Sequence, residues 1–172
     1  MNNRTSPSLL DRVARLRRLA EELTRRLAWL PPALARLALG VVFVQTGWGK
    51  LHSLDQVTAF FQSLGIPAAS VQAPFVAGVE FVGGLLLLAG LGTRVAAVPL
   101  AGTMVVAILT AQLKNVHGVG DLFGLLEFVY LIVFVWLAIA GPGALSVDHW
   151  IARRRRVNAA SSRANPDAAV VA

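Results

Sequence analysis

Four apolar runs dominate the chain between Ala33 and Ala140. They cover about Ala33–Lys50, Pro74–Leu91, Val95–Leu113 and Leu122–Ala140. Each approaches the ~20 residues that carry a helix across ~30 Å of hydrocarbon. A backbone in lipid has to satisfy its own hydrogen bonds, so the runs predict helices. The expected fold is all-α, an integral membrane four-helix bundle. A soluble bundle with buried helices is disfavoured by four long, nearly uncharged runs.

The flanking segments have other periods. Leu9, Val13, Leu16, Ala20, Leu23, Leu27 and Leu30 recur at spacings of four and three. Arg12, Arg15, Arg17, Arg18, Arg25 and Arg26 occupy the remaining faces. This predicts an N-terminal amphipathic basic helix, opened by a capping box at Ser8 and Asp11 and ended by Pro31-Pro32. Such a helix suits the anionic surface of a membrane. A coiled coil with a partner is the rival, but the stripe lacks complementary charges for pairing. Between the first two runs, Val57, Phe60, Phe61 and Leu64 have helical spacing, and Gly65-Ile66-Pro67 stops it. A short outer-loop helix over the mouth of the bundle is expected there. After Arg156 the Ala/Ser/Asn-rich chain is expected to be disordered. The organisation is therefore a basic cytoplasmic arm over 1–32, a membrane domain over 33–148 and a basic cytoplasmic tail over 149–172.

Composition supports this reading. Of 172 residues, 56% are hydrophobic and 15% charged, with mean hydropathy +0.64. That is more apolar surface than a soluble domain of this size can hide. There is no cysteine, which excludes thiol relays, disulfides, iron–sulfur clusters and cysteine zinc sites. Any redox role must use a bound cofactor or a partner.

The net charge of +7 matters through its placement. Seven Arg in residues 1–32, five in 151–172 and Arg94 share one side of a four-span topology. Only Lys50 and Lys114 lie on the other side, and Arg36 sits within the first span. The positive-inside rule places both termini in the cytoplasm of a bacterial inner (plasma) membrane protein. Residues 1–32 lack the compact apolar core of a removable signal peptide. Basic tails flanking an apolar middle also argue against a nucleic-acid partner.

The candidate chemistry lies in the few ionisable groups at membrane depth, which are costly there and usually face the bundle interior. Glu80 falls about six residues into the second span and Glu127 about five into the fourth. At 1.5 Å per residue, both sit about 8–9 Å below the outer boundary. Lys50 and His52 end the first span on the same side. Lys114, His117 and Asp121 belong to the outer loop that follows the third span. These residues predict a polar pocket in the outer half of the bundle, for a quinone head group, a lipid head group or a small polar substrate. Arg36 stands alone near the inner end. The competing reading is structural, with Glu80 and Glu127 pairing with Lys50 and other donors to hold the helices together.

Other chemistries fit less well. Haem ligation needs His residues facing each other within the spans, and these lie at span ends or in the tail. No EXXH spacing supports a metal site, and none is expected. Gly40, Gly47, Gly83, Gly84 and other span glycines point to close helix packing. Glu80-Phe81-Val82 and Glu127-Phe128-Val129 repeat a tripeptide and hint at a duplicated hairpin.

Taken in order, the motifs resemble the DoxX family of small bacterial and archaeal membrane proteins. They are Arg36, Leu39-Gly40, Gly47 and Lys50; then Leu64-Gly65-Ile66-Pro67; Glu80 with Gly83-Gly84; Gly90-Leu91-Gly92-Thr93-Arg94; Gly124 with Glu127; and Gly141-Pro142-Gly143-Ala144-Leu145-Ser146-Val147-Asp148. The resemblance covers about Ala35 to Asp148. It implies a four-helix membrane protein, with relatives linked to thiosulfate:quinone oxidoreductase and to oxidative-stress and thiol homeostasis.

The expected function is a membrane subunit of a redox complex, quinone-linked or serving oxidative stress. Glu80, Glu127, Lys50, His52, His117 and Arg36 are its pocket candidates. Quinone is the one candidate cofactor, and no self-sufficient catalytic motif is visible. The partners are the lipid bilayer, a soluble oxidoreductase or other subunits, and a second copy of the chain. The alternative is a non-enzymatic scaffold or lipid-binding protein that recruits partners through its basic arms. A small transporter ranks third, because Pro99 alone interrupts a span.

Overall fold

The structure is a computed structural model that describes residues 9–164. The expected Ser8–Asp11 cap and the chain beyond Ala164 lie outside the described residues. In order, the elements are α1 (Leu9–Leu27), α2 (Leu30–His52), α3 (Leu54–Ser63), α4 (Ala69–Ala89) and α5 (Thr93–Ala107). A single π turn (Ile108–Gln112) and a 3-10 turn (Leu113–Asn115) extend α5. Then come α6 (Val119–Gly124), α7 (Leu126–Ala140) and α8 (Val147–Ala164). The described residues are all-α.

Among the described residues, three helical segments are long and apolar enough to cross a membrane: the one ending at His52, Ala69–Ala89 and Thr93–Asn115. Each of the first three expected spans begins or ends within a few residues of one of these, because unbroken apolar composition favours helix throughout the run. Pro31 and Pro32 sit in the first turn of α2, where a missing N–H removes no intrahelical bond.

The fourth run differs from its expected form. A continuous helix over Leu122–Ala140 is replaced by α6 and α7, separated at Leu125 with φ −73° and ψ 130°. Gly124, a poor helix former, immediately precedes the break. α7 alone has 15 residues, about 22 Å of rise. Its restart puts Glu127 in its first turn rather than well inside a span. At the other end of the chain, α8 runs on to Ala164, through part of the stretch expected to be disordered.

α2 packs against α4 and α5 against α7, with α4 also touching α5. The α2–α4 seam depends on glycine. A Cβ on Gly47 would lie 2.4 Å from the backbone nitrogen of Phe81, and one on Gly84 would lie 2.7 Å from that of Val44. Only hydrogen at these positions lets the backbones approach so closely. One core joins all four helices: Leu39 and Phe43 from α2, Leu87 from α4, Ala97, Leu100 and Met104 from α5, and Phe134 and Leu137 from α7. Phe43 stands edge-on to Phe134 and Tyr130, with centroids 4.9 and 5.5 Å apart. Such edge-to-face pairs add to simple area burial.

The starts of α2, α5 and α8 meet at one end, called here the tail end. The buried guanidinium of Arg36 donates through Nη2 to the Leu145 carbonyl. Asp148 accepts the Gly92 N–H at 3.0 Å and donates its own N–H to the Gly90 carbonyl at 3.2 Å. Gly90 has φ +65° and lies against Arg36, so a side chain there meets both strain and overlap. The opposite end, under α3, carries the cavity.

Candidate functional site

A cavity of about 750 Å³ opens at the α3 end, walled by α2, α3, α4, α5 with its π turn, and α7. Its lining is mostly hydrocarbon and aromatic, including Phe43, Phe61, Val79 and Met104. Two hydrogen-bonded polar stations interrupt it, and Ser53, Gln56 and Gln72 add further polar groups.

The first station joins α2 to α4. Lys50 lies in the last turn of α2, and Glu80 lies mid-way along α4. Lys50 Nζ donates to Glu80 Oε1 at 2.6 Å. The two differ in exposure: the Lys50 side chain is 34% exposed, whereas Glu80 as a residue is only 2% exposed. Glu80 Oε2 is buried with no hydrogen-bond partner among the described residues. A buried carboxylate oxygen without a donor is an expensive feature to keep. It marks the place where a ligand or a proton could be accommodated.

The second station joins the π turn to α7. Gln112 closes that turn, and its Nε2 donates to Glu127 Oε1 at 3.0 Å. The break at Leu125 places Glu127 in the first turn of α7, where the helix dipole favours a carboxylate. Single π turns that interrupt helices are frequent at functional sites. Thr46, Thr103, Thr110 and Tyr130 add hydroxyls to the lining. The three threonines donate back to carbonyls of their own helices, which leaves their oxygens as acceptors toward the cavity.

The structure thus brings Lys50, Glu80 and Glu127 to one cavity. The other candidates lie elsewhere. His52 is exposed, with Nδ1 2.9 Å from the Trp48 carbonyl and its ring 4.2 Å from the Trp48 ring centroid. His117 is exposed on the loop before α6, where its backbone N–H donates to Asp121 Oδ2 at 2.9 Å. Neither lines the cavity. Arg36 is at the tail end, the far side of the core. Its Nε has no partner among the described residues. Among the described residues no three His, Asp or Glu gather as a metal site.

Gln112 and Tyr130 line the cavity without having been singled out from the sequence. Gln112 was visible as an amide at the end of an apolar run. Its pairing with Glu127 depends on the π turn, which no periodicity announces. The position of Tyr130 in the lining follows from its packing against Phe43.

Comparison with known proteins gives a family match and several relatives. The family model described as DoxX matches residues 32–113. A Bacillus subtilis (strain 168) protein named "Putative oxidoreductase CatD" is 32% identical over 125 residues, covering 72% of this chain and 88% of that protein. The uncharacterized membrane protein Rv3486 of Mycobacterium tuberculosis is 36% identical over 137 residues, covering 72% of this chain and 84% of that protein. The inner membrane protein YqjF of Escherichia coli (strain K12) is 30% identical over 120 residues, covering 70% and 91%. No solved structure matches the chain. With its apolar helices and these relatives, the chain belongs to the DoxX family of membrane proteins.

Proposed function

We propose that the chain is the membrane subunit of a redox complex in the bacterial inner membrane, and that its cavity binds a quinone. The observation that carries this reading is the buried Glu80, with one oxygen held by Lys50 and the other unpartnered, at the wall of a largely apolar cavity. The oxidoreductase wording in the name of the Bacillus subtilis relative supports the class of chemistry.

The lining suits a flat, weakly polar ring with acceptor oxygens at its edge. The Lys50 ammonium and the Tyr130 hydroxyl are donors for such oxygens, and the Gln112 amide is a third. The aromatic and aliphatic wall excludes water from the ring. A bound quinone supplies two-electron, two-proton chemistry. Glu80 holds a proton at Oε2 or releases it, with Lys50 compensating the charge that remains. Glu127 holds a second proton beside Gln112. Electrons come from a partner protein, in keeping with a chain that has no cysteine to relay them.

In this reading α6, Leu125 and α7 together form a fourth crossing over residues 119–140. Both termini then lie in the cytoplasm, where Arg-rich α1 and α8 face anionic lipid and soluble subunits. The exposed Leu9, Val13, Leu16, Leu23 and Leu27 stripe of α1 favours a role at a surface. It is also the observation behind the second reading, a non-enzymatic scaffold or lipid-binding protein working through its basic arms.

The test is saturable binding of a decyl-tailed benzoquinone to the purified protein in lipid discs. Wild type is expected to bind about one per chain, and Glu80→Gln to bind at least tenfold more weakly while remaining folded. Non-saturable uptake identical in both proteins would refute the proposal and leave the scaffold reading.

A further inference from the structure

The cavity is too large for a head group alone. At roughly 30 Å³ per non-hydrogen group, about 750 Å³ accommodates some 25 of them. A substituted quinone ring uses about half that number, on the same scale. The rest of the lining is mainly hydrocarbon, so the remaining space suits hydrocarbon.

The structure also has a route for it. Pro99, Gly102, Val106 and Thr110 recur at spacings of three and four, and so share one face of α5. All four line the cavity. Yet Pro99 and Gly102 are exposed, and Val106 is 45% exposed. On α4, Phe75 lines the same cavity and is 66% exposed. A face that lines a cavity and is also exposed at membrane depth is an opening toward lipid. Gly102 keeps it wide, for a Cβ built there meets nothing within 4 Å.

We infer that the cavity opens sideways into the bilayer between α4 and α5, and that this opening holds the isoprenoid or alkyl tail of a membrane-dissolved quinone. The inference rests on the quinone reading above and specifies the ligand: a long-tailed species that enters from the lipid, with the first units of its tail along Phe75, Gly102 and Val106. Head and tail divide the lining, with Lys50, Glu80, Gln112 and Glu127 at the ring and the α5 face at the chain.

Lipid tails are as apolar as the protein lining, so tail length changes affinity little and is a poor readout. Position is the better one. A benzoquinone carrying a diazirine near the start of its alkyl tail is photolysed with the full chain in lipid discs, and labelled peptides are mapped. Labelling is expected on the Phe75–Val79 and Pro99–Val106 segments, suppressed at least fivefold by excess unlabelled decyl-tailed quinone. Gly102→Leu fills the opening and is expected to lower that labelling at least threefold. Gly102→Ala should give an intermediate loss. Gly78→Leu is the control, since a Cβ there also meets nothing within 4 Å and Gly78 does not line the cavity.

Saturable labelling confined to α3 or to Leu126, on the other exposed rim of the cavity, would overturn the side opening while leaving the quinone site standing. Labelling unaffected by competitor on every segment would overturn both. The wild-type map decides between these outcomes even if a variant fails to fold.

Discussion

Removing Lys50 and removing the charge of Glu80 should have unequal consequences, because the two partners differ in burial. Lys50→Met strips the one donor from a carboxylate that is 2% exposed. Breaking a buried ion pair from one side costs about 3–5 kcal/mol. The Lys50 side chain is about one-third exposed, so screening brings the expected figure to about 2–3 kcal/mol. Glu80→Gln leaves a neutral amide in the same space and an ammonium that reaches solvent, at a cost of about 1 kcal/mol or less. In a chain of this size 1 kcal/mol moves Tm by roughly 2–4 °C. Lys50→Met should therefore lose about 4–12 °C in lipid discs, and Glu80→Gln no more than about 4 °C. The double variant should recover most of the loss, since no uncompensated buried charge remains. Thermal unfolding followed by Trp fluorescence reads all three. Equal losses in both single variants, or a double variant as unstable as Lys50→Met, would show that Glu80 is not the desolvated partner.

Other outcomes follow from the same geometry. Gly47→Ala forces α2 from α4, because its Cβ would meet the Phe81 backbone at 2.4 Å, and should cost about 1–3 kcal/mol in the same unfolding assay. Gly49→Ala, whose Cβ meets nothing within 4 Å, should be neutral or slightly stabilising. Asp148→Ala removes the acceptor of the Gly92 N–H near buried Arg36, and should cost about 1–3 kcal/mol without altering quinone binding. Gln112→Leu should weaken quinone binding severalfold through Glu127, whereas His52→Ala, away from the cavity, should leave it unchanged in the same titration.

The long helices were legible because unbroken apolar composition fixes a helix wherever lipid is the solvent. Lys50, Glu80 and Glu127 were legible as a group because ionisable residues are rare in such runs and their depths could be counted along the chain. The histidines misled for the same reason. Depth alone placed His52 and His117 near the carboxylates, but depth does not give the direction around a helix axis. His52 turns back onto Trp48 and His117 stays on its loop. Arg36 belongs to a joint built from Gly90, Leu145 and Asp148, which are far apart in sequence and meet only after the helices pack. The break at Leu125 and the π turn at Ile108–Gln112 left no trace in the hydrophobic pattern, because both lie within continuous apolar sequence. Those two irregularities bring Gln112 to Glu127.

A quinone held beside Glu80 would be retained when this membrane protein is isolated. Extraction of the full chain into native lipid discs, followed by mass spectrometry of the retained small molecules and proteins, measures that retention. Wild type is expected to retain quinone at about one per chain, together with a soluble oxidoreductase, and Glu80→Gln to retain it only at the level of the surrounding lipid. Quinone at that background level in both proteins, with only anionic lipid retained and lost on deleting residues 1–30, would contradict quinone binding beside Glu80.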